Sequence, residues 1–342
     1  MRILEILKQL CDIGAPSGFE RPVAEQARLL LEKYMDETRF DVMGNLIGVR
    51  RCGRPEAISL LLDAHLDEIG LIVTGIDGGF LRFAKIGGVD PRMLPARRVK
   101  ILTSPPRLGV IATMPPHVLS SEDMDKSIEE DKLVIDVGLS GERAKELIPL
   151  GTPVVFEGSL REFGEGMVFG KALDDRACFA IILRALELLE GDNIPVDLWV
   201  MGSAQEEVGM RGAKTGVFAA DPHYCVAVDV THAGTPDSQK ERTLKTGFGP
   251  AIGVGPNMNR DITGRLVSIA KEKNIPYQIE AMGGGSGTNG WVMQVSRSGV
   301  STAVVSLPIK YMHSPVETAL LEDAENCSIL LAELVRSMEV RP

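Results

Sequence analysis

The amino-acid sequence predicts an α/β protein: a doubly wound mixed sheet with a small β-barrel-like domain inserted into it. Three observations lead there. The run AISLLLDAHL (57–66) is too uniformly apolar for a strand with one wet face, so helices must cover both sides of its sheet. Helical and strand patterns alternate near both ends of the chain, the mark of a doubly wound architecture. Between them the texture changes to short β-rich runs, GLIVTGI, FLRFAKIGG, RVKILTS and LGVIATM, punctuated by Gly and by Pro91, Pro95, Pro105, Pro106, Pro115, Pro116, Pro149 and Pro153, as small barrels and sandwiches are. The predicted division is a main domain from residues 1–67 and 164–342, with residues 68–163 as the insertion. A length of 342 residues, 44% of them hydrophobic, suits two such units.

In order along the chain, Ile3, Leu4, Ile6, Leu7 and Leu10, interrupted by Glu5 and Lys8, give an amphipathic helix rather than the apolar core of a signal peptide. Ser17-Gly18-Phe19-Glu20 reads as a capping box opening a second helix to about Lys33. FDVMGNLIGV (40–49) and AISLLLDAHL (57–66) read as strands. Past the insertion come a helix over 175–189, strands over 196–203 and 224–230, a helix over 261–273 and a strand over 277–281. A glycine-rich loop, a short helix, the strand TAVVSL (302–307) and a helix over 316–338 complete the pattern. Ligands of such sheets bind beyond the carboxyl ends of the strands.

Charge narrows the function classes. With 37 Lys and Arg against 47 Asp and Glu, the formal charge is −10, which repels nucleic-acid backbones and anionic membranes. No apolar stretch approaches the length of a membrane span. The five cysteines, Cys11, Cys52, Cys178, Cys225 and Cys327, show no metal-cage or disulfide spacing, so a reducing cytoplasm is the expected compartment.

The chemistry concentrates at strand ends. Of five histidines, His65 ends the apolar strand in LLLDAHLDEIG and His313 follows TAVVSL in YMHSPVET. His117, His223 and His232 read as structural or surface residues, with His232 nearest a cleft because it follows Asp229 closely. Asp174-Asp175 opens a helix, Glu206-Glu207 follows VDLWVMGSAQ, and Asp229 ends YCVAVDV. Singly, these acids read as caps and solvated turns. Together, a crowd of carboxylates around two imidazoles repels itself unless cations neutralise it. Two divalent metals, each with about four ligands and sharing one carboxylate, match this inventory. The predicted assignment gives one metal His65 and Asp229, the other Glu207 and His313, and makes Asp174 the bridge. A shared water completes both shells. Glu206 is left as the general base. Asp67 suits the carboxylate that orients a ligating imidazole, and Asp175 could support the bridge in the same way.

The motifs AHLDEIG, KALDDRA, SAQEEVGMRGA, AVDVTHAGTPD and MHSPVET resemble, in order and spacing, those of the dinuclear metallo-aminopeptidases, the family of glutamyl aminopeptidases and tetrahedral (TET) aminopeptidases. The likeness spans nearly the whole chain. It implies a zinc-exopeptidase-like α/β catalytic domain whose inserted barrel-like domain serves oligomerisation and access to the site. It also implies removal of the N-terminal residue from short peptides with a free N-terminus, and a homo-oligomer, in the family a tetrahedral dodecamer. Carried over by motif, the metal ligands are His65, Asp174, Glu207, Asp229 and His313, the general base is Glu206, and Asp67 is the acid supporting the ligands. The cofactors implied are two divalent ions per subunit, zinc or cobalt, with manganese a further candidate. Members often hold the peptide corresponding to Asp174-Asp175 in cis.

One segment departs from the family pattern. Many relatives read GGTDA where this chain reads GGGSGTNGW, so Asn289 and Gly290 stand where Asp and Ala are usual, which opens the substrate preference. The same loop contains Gly285-x-Gly287-x-x-Gly290, a dinucleotide-like pattern, but no ribose-binding acid follows near position 310. Three rival functions remain: an endoglucanase-type glycoside hydrolase, against which a 5% aromatic content weighs lightly, a metal-dependent deacylase or carboxypeptidase, and a non-catalytic scaffold, against which the complete ligand set argues.

Overall fold

A computed structural model describes residues 2–114, 117, 130–239 and 243–338. Its main sheet has eleven strands. Along its path lie Glu37–Phe40, Leu46–Arg50, Asp197–Ser203, Ser59–His65, Tyr224–His232, Ser301–Lys310, Glu317–Leu320, Met167–Gly170 and Arg161–Phe163. Ala251–Val254 branches off, pairing with Gln278–Ala281 and with Ser301–Lys310. The central strands Asp197–Ser203, Ser59–His65, Tyr224–His232 and Ser301–Lys310 run parallel, so their carboxyl ends share one edge.

Both faces of this sheet are covered, as the apolar run at 57–66 predicts. Leu60 and Leu62 pack into a core with the helices Ile3–Leu10, Leu173–Leu188 and Leu321–Ser337, whereas Leu61 turns to the other face with Val49, Met201, Ala213 and Val217. That alternation is the two-residue period of a strand acting inside an all-apolar sequence. The proline-punctuated segment folds as a separate closed six-stranded barrel of Gly70–Asp77, Phe80–Ile86, Val134–Asp136, Arg107–Ala112, Arg98–Ile101 and Pro153–Phe156. It has its own core around Leu71, Leu81, Val99, Ile111 and Val154. No described helix is long and apolar enough to cross a membrane.

Local structure departs from the sequence pattern where a side chain finds a better partner. The segment predicted as one strand over 40–49 is a hairpin, because the Asp41 carboxylate accepts the N–H groups of Met43 and Asn45, both at 2.9 Å, and Gly44 takes φ +93°. The last helix starts at Leu321; before it, Glu317–Leu320 is a strand between Ser301–Lys310 and Met167–Gly170. The capping box at Ser17 does not form. The helix begins at Arg21, the Ser17 hydroxyl donates instead to Asp67 at 2.6 Å, and Glu20 accepts the N–H groups of Gly18 and Gln205. The helix Arg211–Ala220 escapes prediction because Gly212 and Gly216 weaken its pattern. Gly212 is required there: a Cβ would lie 2.1 Å from Asn45 Oδ1.

A buried ionic knot joins the sheet to the N-terminal segment. Arg176, wholly inaccessible to solvent, donates to the carbonyls of Leu10 (2.9 Å), Ile13 (2.6 Å) and Leu66 (3.0 Å) and to Glu68 (3.0 Å). Lys171 donates to both oxygens of Glu68, at 2.8 and 2.9 Å. Removing Arg176 leaves the Leu66 carbonyl without a donor and takes away one donor each from the Leu10 and Ile13 carbonyls and from the buried Glu68 carboxylate. Arg176→Ala should therefore lower stability by about 3–5 kcal/mol, measured as a fall in the urea unfolding midpoint with an unchanged slope.

Candidate metal centre

The parallel strands deliver the predicted residues to one place. His65 ends its strand in register with Ser203, and the loop beyond Ser203 carries Glu206 and Glu207. Asp229 lies near the end of Tyr224–His232, beside Ser306 of the next strand. Asp174 and Asp175 sit at the kinked start of the helix Leu173–Leu188, and the peptide between them is cis. His313 comes from the turn between Ser301–Lys310 and Glu317–Leu320.

Asp174 is the centre of this cluster. Its Oδ1 lies 3.1 Å from His65 Nε2, and its Oδ2 lies 3.2 Å from His313 Nε2. Glu207 stands 3.4 Å from the same His313 nitrogen. Each imidazole turns Nδ1 to a carbonyl, His65 to Asp67 at 3.1 Å and His313 to Gly88 at 3.2 Å. A carbonyl only accepts, so Nδ1 carries the proton and each Nε2 faces the carboxylates, the tautomer a metal ligand needs. Asp67 also presents its carboxylate 3.5 Å from His65, but those oxygens chiefly hold other groups. They accept the Ser17 hydroxyl (2.6 Å) and the backbone N–H groups of Glu206 and Glu207 (both 3.1 Å), fixing the acidic loop.

The electrostatics match a cation site. Burial, with its acidic neighbours adding to it, raises Glu206 to about 7 and Glu207 to about 8, and lifts Asp175 and Asp229 well above the carboxylate range. His313 rises to about 9, first through its contact with Asp174. Donor atoms of His65, Asp174 and Glu207 lie within 4.8 Å of one another, as do those of His65, Asp175 and Asp229. Imidazole and carboxylate donors at this spacing fit zinc-type ions, so the residues present suit a metal. Asp175 enters the second group; one of its oxygens accepts the His65 N–H at 3.0 Å while the other is buried without a partner.

Sequence reasoning missed Glu317. Its buried carboxylate accepts the N–H of Asp174 at 3.1 Å and that of His313 at 2.9 Å, tying the central acid to the outer histidine. Its place in MHSPVET, one strand start beyond His313, was the available signal. Glu68, next to Asp67 in AHLDEIG, was missed likewise. Asn289 does not face substrate space: it is 2% exposed and donates to Asp63 (2.7 Å) and Ser203 (2.8 Å). Ser286, Gly287 and Thr288 of the same loop line the cleft, as does His232, whereas His223 pairs with Ser59 away from it.

A family model described as M42 glutamyl aminopeptidase matches residues 44–330. A lysyl aminopeptidase of Pyrococcus furiosus is 35% identical over 98% of this chain and 97% of its own. The solved aminopeptidase of Desulfurococcus kamchatkensis superposes with a TM-score of 0.91 at 36% identity, covering 98% of this chain and 95% of that one. The TET1 peptidase of Pyrococcus horikoshii, described as assembling into a tetrahedron or a large octahedral shell, superposes with a TM-score of 0.86 at 34% identity, over 98% and 100% of the two chains.

The role of Glu317 is testable. Glu317→Ala leaves two N–H groups without their acceptor and frees both residues they position, so zinc affinity should fall about 10- to 100-fold in a calorimetric titration.

Proposed function

We propose that this chain, which belongs to the M42 glutamyl aminopeptidase family, is a metal-dependent aminopeptidase that hydrolyses the first peptide bond of short peptides with a free N-terminus. The observation that carries this reading is Asp174 presenting one oxygen to each of two imidazoles, beside a Glu206-Glu207 pair held by Asp67. Two divalent ions, zinc or cobalt, with manganese a further candidate, are proposed for the site: one with His65 and Asp229, one with Glu207 and His313, and Asp174 shared. Bound there, they supply Lewis acidity toward the scissile carbonyl and lower the pKa of water near it.

The chain's own groups do the rest. Glu206 stands 3.9 Å from His65 Nε2 and is the spare acid of the pair, so it takes the proton of the attacking water and returns it to the departing amine. Asp67 keeps that carboxylate in place through the backbone of its loop. The cleft's acids attract a free α-ammonium, which favours exopeptidase action over endopeptidase action. No Trp, Tyr or Phe lines the cleft among the described residues, which supports a peptide over a sugar as substrate.

We further place the protein in the cytoplasm, consistent with its free cysteines, and as a homo-oligomer, a tetrahedral dodecamer, supported by the P. horikoshii relative described as assembling into a tetrahedron and by the solved PhTET1-12s, described as a dodecamer. Light scattering checks the assembly: a mass near that of one chain contradicts it.

Aminoacyl-anilide hydrolysis should vanish on metal stripping and return with Zn²⁺, Co²⁺ or Mn²⁺. Glu206→Gln should lower kcat by about 10²–10⁴-fold while metal content by mass spectrometry stays at the wild-type level; a variant that retains most of its turnover removes Glu206 from the proton transfer.

A further inference from the structure

The glycine-rich wall of the cleft is anchored at its two ends. Met282, Ser286, Gly287 and Thr288 of this segment line the cavity of about 520 Å³ that also holds His65, Asp174, Glu206 and His313. Upstream, the Met282 N–H donates to the Val254 carbonyl at 2.8 Å, and Glu280 Oε1 on the strand Gln278–Ala281 accepts the Thr231 hydroxyl at 2.6 Å. Between the ends, a Cβ added at Gly283, Gly284 or Gly287 would meet nothing within 4 Å, so neighbouring atoms do not fix the path at those residues. Downstream the anchor is Asn289. Its amide nitrogen donates both hydrogens beneath the wall, to Asp63 Oδ2 at 2.7 Å and to Ser203 Oγ at 2.8 Å. Asp63 lies two residues before His65 on the same strand, and Ser203 pairs with His65 across the sheet and leads into the loop of Glu206 and Glu207. Both acceptors are buried. Gly290 lets the short helix Gly290–Met293 lie flush on the strand Ser301–Lys310, where a Cβ would come within 2.7 Å of Val304 Cγ2.

Charge decides which residue can serve at 289. Among the described residues no Lys or Arg forms an ion pair with Asp63, so its carboxylate relies on the Asn289 amide and the Ser203 hydroxyl. Turned over, the amide would set its oxygen against that carboxylate, so its orientation is fixed. An aspartate at 289, as in the GGTDA pattern, would bring a second carboxylate to the same 2.7 Å contact, where two buried like charges repel.

We propose that Asn289 is a positioning residue for hydrolysis: through Asp63 and Ser203 it ties the substrate-facing wall at 286–288 to the strand ends that carry His65 and the Glu206-Glu207 loop, and it does so as an amide because Asp63 supplies the pair's carboxylate. This rests on the aminopeptidase reading and adds how the wall keeps its distance from the reacting groups. A wall that drifts by about 1 Å misplaces the bound peptide and lowers the rate by up to about 100-fold.

The test compares metal-loaded wild type, Asn289→Ala, Asn289→Asp and the exchange Asp63→Asn/Asn289→Asp on lysyl-, leucyl- and glutamyl-p-nitroanilide, with metal content and urea midpoint measured for each. Asn289→Ala and Asn289→Asp should lose about 10- to 100-fold in kcat/KM, mainly through KM, with metal content at the wild-type level. The exchange, which restores one carboxylate and one amide, should return KM to within about threefold of wild type. A lower urea midpoint with an unchanged KM overturns the proposal, because a merely structural role gives that pattern. An exchange variant as impaired in KM as Asn289→Asp overturns it too. Should Asn289→Asp fail to fold, Asn289→Ala, which adds no charge, carries the same comparison. Either result leaves the aminopeptidase reading intact, whereas a wild type that cleaves no anilide overturns that reading as well. Hydrogen exchange needs no turnover. In Asn289→Ala the amides of residues 283–288 should exchange at least about tenfold faster while those of Tyr224–His232 keep wild-type rates, and equal rates in the loop overturn the tie.

Discussion

Burying many like charges at one sheet edge is the constraint on which the rest of the molecule depends. Asp174, Asp175, Glu206, Glu207 and Asp229 gather around His65 and His313 with little solvent to screen them. In a medium of low polarisability their mutual repulsion exceeds what packing alone can offset. The fold answers with fixed dipoles and fixed charges. Backbone N–H groups converge on Asp67 and Glu317, carbonyls orient both imidazoles, and the Lys171–Arg176 pair neutralises Glu68 one layer below. Each is set before any ligand arrives, so the site has little reorganisation to undergo.

Much of this was readable from residue order alone, for a physical reason. Strand ends are where a parallel sheet exposes its chain to ligands, so acids and histidines placed immediately after apolar runs converge without any knowledge of side-chain geometry. His65, Glu207 and His313 meet in that way, and Asp174 joins them from the start of a helix. The barrel was readable too, because its proline and glycine punctuation leaves room only for short strands.

What escaped the sequence depended on contacts between distant segments. Nothing near Ser17 announces that its hydroxyl belongs to Asp67, fifty residues on, so the local capping pattern misleads. Glu317 is one acid among 47 Asp and Glu residues until the turn after Lys310 brings it under Asp174. Glu280 lies on a strand that branches from the sheet, and its half-buried setting follows from tertiary packing rather than from any periodicity. Asn289 shows the opposite error: a residue in a conspicuous glycine-rich loop faces inward, while its unremarkable neighbours form the wall.

The inserted barrel is more than an appendage on this architecture. The loop that leaves its second strand brings Gly88 against His313, so close that a Cβ there would lie 2.6 Å from Nδ1, and the Gly88 carbonyl sets that ring's protonated nitrogen. The adjacent Gly87 lies close to Ile69 and Glu207, where a Cβ would be 3.0 and 3.2 Å away. Two modules with separate cores thereby meet at the cluster itself, in addition to contacts such as those of Gly14 with Val155 and Leu102. Exchanging the barrel for another, or deleting it, would take away the acceptor that orients the outer imidazole while Glu317 still held its backbone, which gives the main domain a reason to retain its guest.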